Sequence, residues 1–487
     1  MSPRDTAGHA AVTGAVAGLV GGLAFGAAML QLDALPSMGL LLLAGTPVLA
    51  FAVHMLIAAL VGSGFGLLAR WFRSDPGETV SLGLAYGALW WYLGPLTLLP
   101  LLLATRPAWE LTVAQQQFPG LLGHLLYGAV TGLALSVLRP RASKVSRPAR
   151  GSLLRGMAAG VLGVIVVMLT VGTRLGLPPA LAGLMPGPGR PAPLLAAVLL
   201  GPLIGLGYTL LYRRSSGGAG LALVRGQVYG FLLWVVGGLT VMPLLEGEPL
   251  TWTAVAVRAD FVALPGFVVL GVAVALLHRV LGGLASLLPA NQTPQEPARV
   301  GSGGLPAAAG LTAGAVGGLL FTIAAAGTGF IGAAARLVGS DSPAAGFAVH
   351  LLISIVLGVS YGKLFRHQSR TLGIALGWGL SYGFFWWVAG ALTLQPMLLG
   401  GRPHWTAPAA SASFAFLIGH LVYGTALGVT FYLLERRFGT LPPPPDPAHE
   451  AGPAALSDEH VLTAAPPLLA VMIVMIVTMP ILLSGAA

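Results

Sequence analysis

The sequence predicts an all-α integral membrane protein with three tandem four-helix transmembrane repeats and one additional C-terminal transmembrane helix. Two observations carry this prediction. The composition is 56% hydrophobic and only 8% charged, whereas soluble domains carry about 25% charged residues. Apolar stretches of about 20 residues, the length that crosses a bilayer as a helix, recur along the whole chain. A soluble globular protein is therefore excluded.

Internal similarity defines the repeats. The segment FAVHMLIAALVGSGFG at 51–66 recurs as FAVHLLISIVLGVSYG at 347–362, and LLGHLLYGAVTG at 121–132 recurs as LIGHLVYGTALG at 417–428. Both pairs share one offset of 296 residues. A weaker middle copy lies at an offset of 143 residues, where Tyr86 and Trp91 match Tyr229 and Trp234.

These matches divide the chain into three units with linkers between them. The units are 1–138, 153–281 and 307–437, joined by a basic linker at 139–152 and a polar linker at 282–306. A Pro-rich linker at 438–460 leads to the last helix at 461–484. Each unit contains four spans, so thirteen are predicted in all. The twelve spans within the units are 11–32, 48–71, 80–103, 117–138, 153–173, 193–212, 222–244, 258–281, 307–327, 345–366, 374–399 and 411–434.

Lys and Arg predict the orientation. Most of the 25 basic residues fall in the N-terminal segment and in the loops after even-numbered spans, and Arg225 is counted among these loop cations. Because cationic loops stay in the cytoplasm, we expect a cytoplasmic N-terminus and an external C-terminus in a prokaryotic inner membrane. The net charge of +10 is explained by this topology, so no nucleic-acid partner is predicted.

Small residues and prolines predict how the helices pack. Gly recurs at four-residue spacing, as in Gly14, Gly18 and Gly22, which lets helix backbones approach closely in lipid. Each third span contains a Thr three residues before a Pro, where we expect a kink whose backbone groups the Thr hydroxyl satisfies. The tryptophans that follow these spans are interpreted as anchors at the outer membrane interface. They are Trp109, Trp252 and Trp405.

Reactive side chains are scarce in the spans. Cysteine is absent, which excludes disulfides, thiolate chemistry and Cys-ligated clusters. The fifteen Asp and Glu residues, Asp75 and Glu78 among them, are assigned to loops or span ends. An ion-coupled transporter is disfavoured, because such proteins carry ionisable residues inside the membrane. No catalytic residue is predicted, and an enzyme is the less favoured interpretation.

Histidine is the exception. His54 and His124 lie at equal depth on the second and fourth spans of the first unit, and His350 and His420 occupy the matching positions in the third. Two such imidazoles could act as axial ligands of a haem b iron or bind another metal. In the middle unit both are lost, to Ala197 and Phe267. The nearby aromatic residues, which would form a pocket, are lost there as well, but they are present in the outer units as Trp90, Tyr127, Trp386 and Tyr423.

Two other interpretations of the histidines stay open. They could hydrogen-bond across helices and hold the bundle together, or they could line a pocket for a substrate or quinone. The GHLLYG segment at 123–128 and its copy GHLVYG at 419–424 resemble segments of uncharacterised multi-pass prokaryotic membrane proteins. The resemblance covers only these helices and implies no activity.

The leading functional hypothesis is a membrane subunit that binds haem b and takes part in electron transfer near the outer leaflet. The first alternative is a cofactor-free scaffold or accessory subunit, and the second is a transporter of a neutral or hydrophobic solute. The expected partners are the lipid bilayer and other membrane protein subunits.

Overall fold

The computed structural model describes residues 7–32, 34, 46–70, 75–139, 150–168, 193–213, 218–245, 247–286, 304–366, 368–369 and 371–438. Over these residues the chain is helical and contains no strand, and eleven helices are long and apolar enough to cross a bilayer. The predicted all-α membrane class is thereby confirmed. The predicted span at 461–484 and the linkers at 282–306 and 438–460 fall wholly or largely outside these ranges, as does most of the linker at 139–152.

Twelve principal helices are described. Three of them, α3, α7 and α11, continue through a π-helical segment into one more short α-helical turn. The helices are α1 Ala7–Gln31, α2 Pro47–Ala69, α3 Pro76–Leu93, α4 Phe118–Leu138, α5 Arg150–Val167, α6 Pro193–Leu211, α7 Ala219–Leu232, α8 Leu264–Ser286, α9 Gly304–Ala324, α10 Pro343–Phe365, α11 Leu372–Trp386 and α12 Phe414–Arg437.

The helices pack in three groups with one pattern of contacts. In the N-terminal group (α1–α4), α1 packs against α2 and α4, and α3 packs against α4. In the middle group (α5–α8), α5 packs against α6 and α8, and α7 packs against α8. In the C-terminal group (α9–α12), α9 packs against α10 and α12, and α11 packs against α12. The first helix of each group thus joins the second helix to the fourth.

Glycine brings the third and fourth helices of each group into backbone contact. A Cβ on Gly83 of α3 would lie 2.0 Å from the Gly128 carbonyl oxygen of α4. In the middle group, a Cβ on Gly271 would lie 2.1 Å from the Gly226 oxygen, and in the C-terminal group a Cβ on Gly379 would lie 2.1 Å from the Gly424 oxygen. Helices in lipid associate through close packing of this kind, so any side chain here would push the pair apart.

The third helices form the centre of the molecule. One apolar cluster contains Trp91, Trp234 and Trp387. Helix α7 contacts both α3 and α11, which makes two junctions: the first between the N-terminal and middle groups, the second between the middle and C-terminal groups. We call the end of the bundle where α3, α7 and α11 begin the arginine end. The opposite end, with the loops that follow these helices, is the tryptophan end.

Each central helix contains a π-helical segment where a kink is predicted. The segments are Gly94–Leu98, Leu233–Val241 and Trp387–Leu394. The hydroxyls of Thr97, Thr240 and Thr393 each donate to the carbonyl five residues earlier, at 2.7, 2.8 and 2.7 Å. The predicted role of the threonine is therefore confirmed, and it acts within a widened turn of the helix.

Candidate functional site

The predicted histidine pair of the N-terminal group meets on one phenylalanine. His54 of α2 donates from Nε2 to the Gly22 carbonyl of α1 at 2.9 Å, and His124 of α4 donates from Nδ1 to the Gly120 carbonyl at 2.7 Å. The ring of Phe25 on α1 contacts both imidazoles, with centroid distances of 5.4 Å to His54 and 5.0 Å to His124. The pair therefore joins three helices through one aromatic side chain.

The C-terminal group repeats this arrangement. His350 Nε2 donates to the Gly318 carbonyl at 3.0 Å, and His420 Nδ1 donates to the Phe416 carbonyl at 2.8 Å. Phe321 contacts both imidazoles, at 5.1 and 5.0 Å between ring centroids. Each of these contacts reproduces its N-terminal counterpart at the offset of 296 residues. The two histidines of each pair, which the sequence predicts at equal depth, thus contact the same phenyl ring in the fold.

A small residue makes room for the phenylalanine. A Cβ on Gly123 of α4 would lie 1.9 Å from the ring of Phe25, and one on Gly419 would lie 3.1 Å from the ring of Phe321. The G-H dipeptide in both copies of the motif thus has a packing explanation. Glycine admits the ring, and the adjacent histidine packs on it.

The chemistry open to each pair follows from its nitrogens. One ring nitrogen of every imidazole is occupied by a backbone carbonyl, which fixes the tautomer and leaves the other nitrogen as an acceptor or ligand. No group of three or more His, Cys, Asp or Glu side chains suited to a metal ion occurs in the described part of the chain. Among the described residues, each site offers two imidazole ligands with a phenyl ring in contact with both.

Of the predicted pocket residues, the two tyrosines connect helices, whereas the two tryptophans contact tyrosines of their own helices. The hydroxyl of Tyr127 on α4 donates to the Ala58 carbonyl of α2 at 2.7 Å, and that of Tyr423 donates to the Ser354 carbonyl at 2.8 Å. Trp90 and Trp386 pack edge to face on Tyr86 and Tyr382. Tyr127 belongs to one apolar cluster with Phe25, and Trp90 packs against that cluster.

The middle group lacks the histidine pair and contains a different polar cluster at other positions of its helices. His278 of α8 is buried and packs on Tyr208 of α6, with 5.7 Å between ring centroids. Tyr208 also contacts Tyr212 and Tyr229. The Tyr208–Tyr229 contact has a counterpart in the C-terminal group, Tyr361–Tyr382, whereas the positions equivalent to His278 are Leu135 and Phe431.

Sequence reasoning also missed a buried ionic cluster at the first junction. Arg225 of α7 donates to Glu78 and lies 3.4 Å from the Asp75 carboxylate, both belonging to the start of α3. All three side chains are buried. The assignment of Arg225 to a loop is wrong, since it lies in the second turn of α7. Glu78 lies at a span end, as the sequence predicts, in the first turn of a membrane helix, but its burial was not predicted.

Local structure positions these carboxylates. Asp75 and Glu78 form a capping box at the start of α3, in which the Asp75 backbone N–H donates to Glu78 at 3.2 Å. The guanidinium of Arg225 also lies over the ring of Tyr212, 5.2 Å from its centroid. The D-P-G-E sequence before an apolar run was the available signal for the cap, but no local pattern identifies the arginine as its partner.

The interface role predicted for the loop tryptophans is wrong for two of them. Trp252 and Trp405 are buried, with 2% and 4% of their surfaces exposed, whereas Trp109 is 69% exposed. Their indoles donate to the end of the preceding central helix: Trp109 to Thr97 at 3.0 Å and Trp405 to Thr393 at 2.9 Å. Trp252 donates to the Leu239 carbonyl at 3.1 Å. For Trp405 the physical reason is a contact with the neighbouring group, because its ring lies against Gly266 of α8.

Comparison with known proteins gives no relative from which a function could be transferred. No protein-family model, no curated protein and no solved structure matches the chain.

Proposed function

We propose that this chain is an accessory or scaffold subunit of a membrane complex, built from three tandem four-helix units and independent of any cofactor. One observation carries the proposal. Polar side chains at equivalent positions of the groups bond one helix to another. His54 and His350 each bond the second helix of a group to the first, at positions 296 residues apart. A side chain committed to a neighbouring helix in this way serves packing.

A tyrosine common to all three groups supports the same interpretation. Tyr86, Tyr229 and Tyr382 each donate from the third helix of a group to a carbonyl of the second, at 2.9, 2.5 and 2.9 Å. The accepting residues Val61, Ile204 and Leu357 are themselves equivalent by sequence. This bond is present with and without the histidine pair, so the bundle is held by one repeated device to which the outer groups add another.

Binding of haem b, with electron transfer as the function, is the second candidate. It is favoured by the carbonyl bonds themselves, because metal-ligating histidines usually donate their other ring nitrogen to a carbonyl or carboxylate. It is disfavoured by the phenyl rings of Phe25 and Phe321, each of which contacts both members of its pair. Axial ligation requires both imidazole nitrogens to face one iron between them, and the phenyl ring would have to leave.

An absorption spectrum separates the two candidates. We expect the detergent-purified protein to show no b-type difference between its reduced and oxidised spectra, and metal analysis to find no bound metal. His124→Phe and His420→Phe introduce the residue of the middle group, Phe267, and serve as matched variants. A Soret band in the wild type that weakens in each variant would overturn the cofactor-free proposal and establish haem binding.

The proposed orientation has the N-terminus in the cytoplasm of a prokaryotic cell and the tryptophan end outside. Because the chain contains no cysteine, a single introduced thiol reports its own side of the membrane. We expect Leu111→Cys to react with a membrane-impermeant maleimide in intact cells or spheroplasts. We expect Arg437→Cys at the end of α12 to react only after permeabilisation. The reverse pattern would contradict the orientation derived from the basic loops.

A further inference from the structure

At the second junction, the loop after α11 packs against the middle group at the tryptophan end. Trp405, in the loop after α11, lies against the start of α8, where a Cβ on Gly266 would come within 3.0 Å of its ring. Contacts between α8 and the π-helical segment of α11 belong to the same junction. The fourth helix of one group therefore offers a receiving face, and the tryptophan loop of the following group covers it.

The receiving face is buried in two groups and open in the third. Leu122 of α4 is 2% exposed, and its counterpart Pro265 on α8 is buried. The equivalent residue on α12, Ile418, is 40% exposed. It lies in an apolar groove on α12 that also includes Leu421, Val422 and Thr425. The groove is thus the third copy of a surface that is covered in the first two groups.

The covering loop is open in the opposite group. Trp109 has the largest exposed fraction of the three loop tryptophans, and Leu111 is 46% exposed where its counterparts Ala254 and Ala407 are buried. The indole of Trp109 nevertheless makes the same hydrogen bond to a threonine as the buried Trp405. Its ring is therefore held in position without a neighbouring group to cover it.

The geometry points to a second copy of this chain as the occupant of both faces. We infer that the α12 groove around Ile418 of one copy receives the Trp109 loop of another, in a head-to-tail contact. The two open faces correspond to the two halves of the contact that forms at the second junction, where the Trp405 loop lies against the start of α8. This inference rests on the tandem-unit part of the proposed function.

The contact is confined to the tryptophan end. At the arginine end, a Cβ on Gly77 would touch the ring of Tyr212, and one on Gly220 would touch the ring of Phe365. Ala69 occupies the equivalent of these aromatic positions in the N-terminal group, and Gly373 has open space around it. A contact of this kind uses different patches on the two partners, so it forms closed rings or open rows of copies.

Disulfide cross-linking in liposomes tests the inference in a chain that has no cysteine of its own. We expect oxidation to link Leu111→Cys protein to Ile418→Cys protein when the two are co-expressed. Neither variant should dimerise by itself, because the contact joins unlike faces. Adding Trp109→Ala to the first variant should lower the yield about tenfold, as loss of a tryptophan anchor does at interfaces.

Pairing Leu111→Cys with Leu352→Cys, which lies on an exposed position of α10, provides the background yield. Three results would overturn the inference: a yield at background, which leaves lipid as the cover; dimers of either single variant alone; or a link within one chain carrying both cysteines. None of these results depends on the absorption spectrum, so a haem signal would contradict the proposed function without deciding this contact.

Discussion

The two junctions of the molecule place opposite chemistry at equivalent positions. At the first, Arg225 reaches Glu78 and Asp75 across the start of α3, with Tyr212 beside it. At the second, Trp378 occupies the position of Arg225 and stacks on Phe365 at 5.4 Å. Leu221 replaces Glu78 and Gly218 replaces Asp75. One junction is ionic and the other aromatic, although the same helices of the repeat meet in both.

The two junctions differ in the free energy needed to bury their side chains. Burying charges removes them from water, and their mutual attraction often does no more than offset that penalty, so a well-packed apolar cluster can be as stable. The ionic junction also selects its partner helix, because the buried guanidinium of Arg225 needs the carboxylates of Glu78 and Asp75 to offset its loss of hydration. We expect the aromatic junction to supply adhesion, and the ionic junction to specify that α7 packs against the start of α3.

The largest expected effect is at the ionic junction. Arg225→Leu leaves Glu78 and Asp75 buried without this partner, and we expect a loss of about 3–5 kcal/mol in the free energy of unfolding. Leucine is the natural residue at the equivalent position of the N-terminal group, Leu82, so the side chain suits such a helix. The measurement is reversible unfolding in detergent micelles.

Removing all the charges sharpens the result. The triple variant Asp75→Thr, Glu78→Leu and Arg225→Leu carries at positions 75 and 78 the kinds of residue found in the other groups: Thr371 caps α11 and Leu221 lies in α7. We expect it to recover most of the loss, to within about 1.5 kcal/mol of the wild type. A triple variant as unstable as Arg225→Leu alone would show that the ion pair supplies net stability.

A smaller effect is expected at the aromatic junction. Phe365→Leu keeps an apolar side chain against Gly220 but removes the stacking on Trp378. We expect the aromatic pair itself to account for about 0.5–1.5 kcal/mol of the loss, beyond the contribution of buried area. Trp378→Leu in the same chain should add less than its loss in the wild-type chain, because the interaction between the two rings is already broken. Additive losses would mean that the two rings contribute independently.

The smallest effect is expected at the histidine pairs. His54→Leu removes one hydrogen bond between helices, which is worth about 0.6 kcal/mol on average in membrane proteins. His350→Leu is its matched counterpart, because the two imidazoles bond equivalent carbonyls, those of Gly22 and Gly318, on the first helix of each group. Equal losses in the two variants support the packing role. A loss several times larger in one of them would indicate a function beyond packing at that pair.

Much of the fold could be predicted, because it depends on local patterns. Apolar length predicts the helices, and repeated glycines such as Gly14 and Gly18 predict close helix packing, which α1 makes with Gly62 of α2. The depth of His54 and His124 follows from spacing, but the phenyl ring that contacts both depends on the rotation of α1, which spacing does not determine. The Arg225 cluster joins residues 147 and 150 positions apart, and no sequence pattern connects them.

The position of each loop depends on how many residues the π-helical segment before it contains. A π-turn holds an additional residue, and one residue corresponds to about 100° of rotation about an α-helix. Deleting a residue within Gly94–Leu98 would leave the hydropathy of α3 almost unchanged, yet it would turn the following segment through about that angle and carry Trp109 to another side of the helix. Such a deletion would be silent in a hydropathy profile, but it would change which neighbour the loop can reach.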